Sequence, residues 1–245
     1  MVKNKIIFIL FFLLISCNKE NAPDFIKSSG VVSSVIRPLG DFSKIAINHE
    51  TDVILYPDTV NFIEISYSKN LLPKIKTAIV NGELVIKDEN KFNWVRKYGT
   101  RIKIKLHCKS FNLITINGDG SIKCKDTFRL NSTKIDVQHN GTNDVKLLVN
   151  ADWLTFRCKN VGNLTVAGSC IIMAGTVEQT AAFIAPDFLI SDAYFYSFSL
   201  SDSYFQAQNR MGISIFGKGN LFYKFEPLVF KDVLEKGSGK MILKP

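Results

Sequence analysis

The sequence lacks helical patterning. No long stretch of its 245 residues places apolar side chains at i, i+3, i+4 and i+7, which excludes a fold built on amphipathic helices. Common signatures of metal and nucleophilic chemistry are missing too. The three histidines, His49, His107 and His139, form no H-E-x-x-H or other i, i+4 metal pair, and each is expected as a solvated strand or turn residue. No two cysteines form C-x-x-C, so a zinc knuckle or a thioredoxin-type site has no support. There is no G-x-S-x-G elbow, and Gly237-Ser238-Gly239 reads as a turn rather than a nucleophile. The apolar run Ile6 to Ile15 rises only about 15 Å as a helix, half of what a bilayer needs, so it is no permanent span. Charged residues are only 22% of the chain, against 46% hydrophobic residues with 19 Phe, 7 Tyr and 2 Trp, which excludes disorder and supplies a core. No cofactor is implied.

The first residues point to export. Lys3 and Lys5 precede the apolar run, which ends at Ser16-Cys17 and gives way to a polar stretch, the shape of a signal peptide over residues 1–16. Leu14-Ile15-Ser16-Cys17 resembles the lipobox of bacterial lipoproteins. That resemblance implies lipidation of Cys17, cleavage before it and membrane attachment through its acyl chains, two or three of which anchor stably. Asn18-Lys19-Glu20-Asn21 is similar to the Lys-acidic surface signal of Bacteroidetes lipoproteins, though with a single acidic residue. Residues 17–30, with Pro23, Ser28, Ser29 and Gly30, read as a flexible lipidated tether ahead of a domain over 31–245. The net charge of +9 would suit nucleic acid in the cytosol. Removal of Lys3 and Lys5 with the leader leaves +7 on an exported chain, so nucleic acid is not an expected partner. The implied location is the cell envelope, as an outer-membrane lipoprotein facing the periplasm or the surface.

The body alternates with period two. In 101–106, Ile102, Ile104 and Leu106 face one side while Arg101, Lys103 and Lys105 face the other, the mark of a half-buried strand. Cys108 and Cys158 continue such alternations, and Cys108, Cys124, Cys158 and Cys170 all read as buried small hydrophobes. Turn clusters begin at Asn117, Asn140, Asn160, Gly217 and Gly237, separated by 23, 20, 57 and 20 residues; the gap of 57 holds three coils of 19 with turns near Gln179 and Ser197. A period near 20 predicts an all-β fold, a single-stranded parallel β-helix whose coils stack about 4.8 Å apart. Asn at one phase can then hydrogen-bond to Asn in the next coil, and Gly can serve corners needing positive φ or close backbone approach. An antiparallel β-sandwich is the alternative. Strands before residue 117, at 45–47, 53–55, 63–65 and 84–86 with an Asn81-Gly82 turn, are expected as first, less regular coils.

Phe42-Ser-Lys-Ile-Ala-Ile47, Leu71-Leu-Pro-Lys-Ile75, Asn81-Gly-Glu-Leu-Val-Ile86, Gly217-Lys-Gly-Asn-Leu-Phe-Tyr223 and Gly237-Ser-Gly-Lys240 resemble the putative auto-transporter adhesin head GIN domain family over roughly residues 40–245. The resemblance implies a right-handed parallel β-helix, export by Bacteroidetes-like bacteria and no established enzymatic activity. The stretch 179–204 departs from the family's Gly-x-Gly turns.

Two surfaces are candidates for binding. Arg101, Lys103, Lys105 and Lys109 form a basic stripe that could dock an acidic glycan or lipopolysaccharide phosphate, or simply solvate a sheet. Tyr194, Tyr196 and Phe198 point opposite to Phe195, so both faces of that strand are apolar, and with Tyr204 nearby these rings could stack on sugars or seal a homo-oligomer. Asp119 and Asp144 occupy nearby turn phases and could pair as acid and base or hold Ca²⁺, although one Asp per corner is also ordinary turn chemistry. The function expected is a non-catalytic, lipid-anchored surface adhesion or interaction module with a glycan or envelope-protein partner. A structural envelope component and a polysaccharide-active β-helix enzyme are the alternatives.

Overall fold

The computed structural model describes residues 30–48, 50–90, 101–142 and 144–244. The leader, Cys17 and His49 lie outside the described residues. Strand makes up 66% of the chain, wound into a β-solenoid of about 6 turns whose parallel bridges join residues about 20 apart. The regular coils run through β10 (Phe128–His139), β11 (Val145–Cys158), β12 (Leu164–Gln179), β13 (Phe183–Ser199) and β14 (Ser203–Ile215), each hydrogen-bonded in parallel to the next. They end in β15 (Leu221–Tyr223), β16 (Phe230–Glu235) and β17 (Met241–Leu243).

One coil shows how the pattern makes the winding. Val145, Leu147, Val149 and Ala151 are buried, then parity flips at the Asp152 corner and Leu154, Phe156 and Cys158 are buried. The flip keeps both stretches facing one core although the chain has turned between them. Stacking repeats each inward position: Ile47, Ile116, His139, Cys158, Val177, Ser197 and Ile215 form one column through seven strands. Residue size compensates along the columns. Gly175 lies between Phe156 and Phe195 in register, and a Cβ there would sit 2.1 Å from the Phe156 ring. Phe183, Phe195 and Phe205 pack beside it, all buried, with the Phe195 and Phe205 rings edge-on at 5.1 Å. Leu147, Val166 and Ile215 are buried as the alternation requires.

The turns explain the asparagines and glycines. Asn117 Nδ2 donates to Asn48 Oδ1 at 2.8 Å, Asn140 Nδ2 donates to Asn117 Oδ1 at 3.0 Å, and Asn160 Nδ2 donates to the Asn140 carbonyl, a ladder running down one corner. After the turn a second ladder satisfies backbone N–H groups. Asp52 accepts from Ser121, Asp144 from Asn163, Asn163 from Ala182, Asp202 from Asn220 and Asn220 from Lys240. Asn160 and Gln179 adopt positive φ, of 68° and 59°, marking coil turns at the positions that the period of 19 to 20 requires.

Three expectations need correction. The segment before residue 117 is only in part a set of less regular coils. β2 (Lys44–Ile47) and β3 (Thr51–Pro57) join the parallel stack through β8 (Leu113–Ile116) and β9 (Ile122–Cys124). β6 (Glu83–Asp88) and β7 (Ile102–Cys108) extend that stack in parallel on β2 and β3, while β1 (Val32–Pro38) and β4 (Phe62–Ser68) pair antiparallel with each other, β4 also with β7, and β5 (Ile75–Val80) pairs antiparallel with β6. The positive φ of Asn81 and Gly82 closes the β5–β6 hairpin, so β5 leaves the coil path while β6 stays paired to β2. The antiparallel strands cap one end of the stack. Second, His139 is fully buried in the Ile116–Cys158 column, with its Nδ1 3.4 Å from the Gly141 N–H. Third, His107 is a stacked rather than solvated residue. Its ring lies 4.5 Å from Tyr56 and 4.0 Å from Phe62, with Nδ1 at 2.9 Å from Asp58. In the stretch lacking Gly-x-Gly turns the coil persists, with register shifts between Ala185 and Ile190 and again before Asp192.

Candidate functional site

Strand β13 alternates buried Ala193, Phe195 and Ser197 with outward Tyr194, Tyr196 and Phe198. The outward rings are 43%, 50% and 49% exposed, large values for side chains that carry most of their area as apolar ring. Their neighbours in the adjacent coils are small. Tyr194 lies between Ala174 and Gly212, and Tyr196 between Thr176 and Ser214. A Cβ on Gly212 would come within 3.1 Å of Tyr194 Cδ1, so the glycine leaves that ring its place against the sheet. Phe198 stacks on Phe216 of the next coil, 4.8 Å between centroids and 6° between planes. The result is a row of three outward rings on a parallel sheet, with small residues on either side of the two tyrosines and Glu178 and Phe216 on either side of Phe198. Such a row offers ring faces to a ligand and makes no chemistry of its own.

The other sequence candidates lie elsewhere. Tyr204 falls beyond the turn after Ser199, on a different stretch of the coil, and stacks on Phe222 at 4.9 Å. The structure therefore does not bring it into the Tyr196 row. On the basic stripe, Arg101 lies 3.5 Å from Asp52 and Lys105 lies 3.2 Å from Glu64, while Lys103 stands exposed between them. Lys109 reaches Asp41 at 3.9 Å. Burial alone would raise the Asp52 carboxyl, but the Ser121 N–H and hydroxyl and the Arg101 guanidinium outweigh it and hold the group below its ordinary value. Cross-strand acids thus neutralise much of this stripe, and its anion-docking role loses force.

Asp119 and Asp144 are occupied by turn structure. Asp119 Oδ1 accepts the Thr142 hydroxyl at 2.7 Å, and Asp144 Oδ1 accepts the Asn163 N–H at 3.2 Å. Among the described residues no cluster of three or more His, Cys, Asp or Glu could hold a metal ion. The four cysteines are free and buried, and burial pushes Cys108, Cys158 and Cys170 up to about 12 and Cys124 to about 11. A thiol so shifted is no nucleophile. Sequence reasoning missed Phe216 and Phe222. Their signal was available: each follows its ring partner, Phe198 or Tyr204, by 18 residues, close to one coil.

A family model described as "Putative auto-transporter adhesin, head GIN domain" matches residues 41–227. No curated protein matches the sequence. Among solved structures, a putative adhesin from Bacteroides fragilis NCTC 9343 is similar with a TM-score of 0.80 at 17% identity, covering 86% of this chain and 96% of that one. A putative lipid binding protein from Parabacteroides distasonis ATCC 8503 aligns at 0.67 and 16% identity over 88% of this chain and 98% of its own. A putative adhesin from Parabacteroides merdae ATCC 43184 aligns at 0.58 and 18% identity, again over 88% and 98%. At such identities the likeness concerns the fold. The family match spans most of the solenoid, from β2 through the coils to the turn after β15, and by it the chain belongs to the auto-transporter adhesin head GIN domain family.

Proposed function

We propose that this protein is a non-catalytic adhesion module of the cell envelope, held to the outer membrane by lipid on Cys17 and displayed at the surface. Its binding face is the Tyr194, Tyr196 and Phe198 row, and its partner is a glycan. The observation that carries this reading is the exposure of three alternate rings on a sheet whose inner face is already filled by Phe195 and its neighbours. Core packing does not use those rings, and a row of apolar faces among small residues suits stacking on sugar rings. Membership of an adhesin family, and solved relatives named as adhesins, support the same class. The lipobox-like 14–17 segment supports the anchor.

A glycan array and an envelope-protein binding screen with the domain from residue 24, run beside a Tyr194→Ser/Tyr196→Ser double variant, test the face. Binding that weakens in the double variant while its melting temperature stays within a few degrees of the parent is the expected result. Unchanged binding in that variant refutes the row as the binding face. A lower oligomer mass in the variant, with no glycan bound by either protein, would instead make the row a self-association surface. The anchor is tested separately by fatty-acid labelling in cells, which should disappear in Cys17→Ala.

A further inference from the structure

A second pair of rings lies apart from the Tyr196 row. Tyr204 of β14, Phe222 of β15 and Ile242 of β17 occupy one outward phase in three successive coils, and the first two rings stack at 4.9 Å and 15°. Two residues on, Lys224 and Lys244 stand at one phase in adjacent coils, because Tyr223 pairs with Leu243. Tyr204, Phe222, Lys224 and Lys244, together with Phe205 and Gln206, line a cleft of 240 Å³ that Pro186 also borders.

Gln206 builds its wall. This amide is 7% exposed and uses both ends: Oε1 accepts the N–H groups of Lys224 at 2.8 Å and Phe225 at 3.1 Å, while Nε2 donates to the Ala207 and Phe225 carbonyls. A buried amide satisfied in this way fixes the backbone path at 224–225, and with it the root of Lys224. The Lys224 ammonium donates to the Pro186 carbonyl at 3.3 Å and lies 3.8 Å from Asp187, a carboxylate that is 85% exposed. Lys244 Nζ sits 5.4 Å above the Phe222 ring and has no carboxylate partner among the described residues. Two cations therefore face the cleft against one solvated acid.

We propose that this cleft binds one acidic sugar residue, a pyranose bearing an anionic group, carboxylate or sulfate, within an acidic glycan. At 240 Å³ the cleft falls below the roughly 300–1,000 Å³ of pockets for drug-sized ligands, the scale of a single ring rather than of an extended chain. The stacked Tyr204–Phe222 pair offers an apolar wall for the C–H face of that ring. Lys244, already held over Phe222, and Lys224 then supply charge-assisted hydrogen bonds to the anionic group. Charge complementarity selects an anion, and the aromatic wall selects one carried on a ring. No residue of the Tyr196 row lines the cleft, so the two sites can fail independently.

Calorimetric titration of the full chain in detergent with trimers of galacturonic acid, galactose and sulfated galactose tests the assignment. An acidic trimer should bind at least about tenfold more tightly than the neutral one, and the galacturonate and sulfated arms read which anionic group is taken. That preference should fall about tenfold in Phe222→Ala and in Lys244→Gln, weaken with added salt, and survive Tyr194→Ser/Tyr196→Ser. Lys244 is exposed, so Lys244→Gln keeps the fold even if Phe222→Ala does not. Equal affinity for galactose and both acidic trimers overturns the proposal. So does a preference unchanged in Lys244→Gln. None of those outcomes bears on glycan binding at the Tyr196 row, which the double variant reads alone.

Discussion

Replacing Gly217 by alanine should be far costlier than its half-buried place in a turn suggests. Gly217 does not adopt a left-handed φ, so its need for glycine is purely spatial. A Cβ would stand 2.0 Å from the Ser199 carbonyl oxygen and 2.7 Å from the Ser199 nitrogen in the turn stacked against it. Ordinary carbon to oxygen contact begins near about 3.3 Å, so the two turns must part by roughly 1 Å. Three hydrogen bonds hold them together: Gly217 N–H to Ser197 at 3.1 Å, and Lys218 and Gly219 N–H to Ser199 at 3.0 Å each. Stretching those bonds while relieving the overlap should cost about 2–4 kcal/mol. For a domain of this size that is a melting-temperature loss of roughly 5–15 °C. Gly40→Ala is the control, since its nearest atom is Ile79 Cδ1 at 3.5 Å and its φ is ordinary. That change should be neutral, or stabilising by about 0.4–1 kcal/mol through the unfolded chain. Thermal denaturation of both variants, with hydrogen exchange to localise the opening, gives the comparison. Equal melting temperatures for Gly217→Ala and Gly40→Ala would refute the stacked-turn account, and with it the reason for Gly-x-Gly at 217–219 and 237–239.

Leu147→Asp places a carboxylate at a site 1% exposed with Val166 in register, and should cost several kcal/mol, enough to unfold the domain; a folded variant by circular dichroism would count against the inward column. The cysteines should resist a thiol reagent at pH 8 in the native protein and react on denaturation, because burial holds all four thiols at about 11 or 12; fast native labelling would contradict their place in the core. Asp58, Glu226 and Glu235 are held below the usual carboxylate range by hydrogen bonds with His107, Lys231 and the Met241 N–H respectively. A depressed folded pKa gives stability that is present above the unfolded value and lost as pH falls through the folded one. The melting temperature should therefore hold near neutrality and decline below about pH 4, and a flat profile to pH 3 would refute these contacts.

Alternation and the 20-residue recurrence of turns were enough to place the inward residues, the coil period and the burial of Cys108, Cys124, Cys158 and Cys170. Those properties depend on neighbours along the chain, where a period of two assigns each side chain a face. What an outward side chain meets depends on the register between coils, and that register comes from turn lengths of 18 to 23 residues and from shifts such as the one between Ala185 and Ile190. Strand pairing therefore decided that Arg101 faces Asp52 beside the parallel β3–β7 pair and that Lys105 faces Glu64 across the antiparallel β4–β7 pair, which turns an apparent cationic stripe into ion pairs. Stacking also set Phe198 on Phe216, separated Tyr204 from the Tyr196 row, and carried His139 into a column of Ile116 and Cys158. The antiparallel cap belongs to the tertiary structure as well. A strand's own sequence states which residues face inward, but whether its partner runs parallel or antiparallel is settled by where the connecting chain can return.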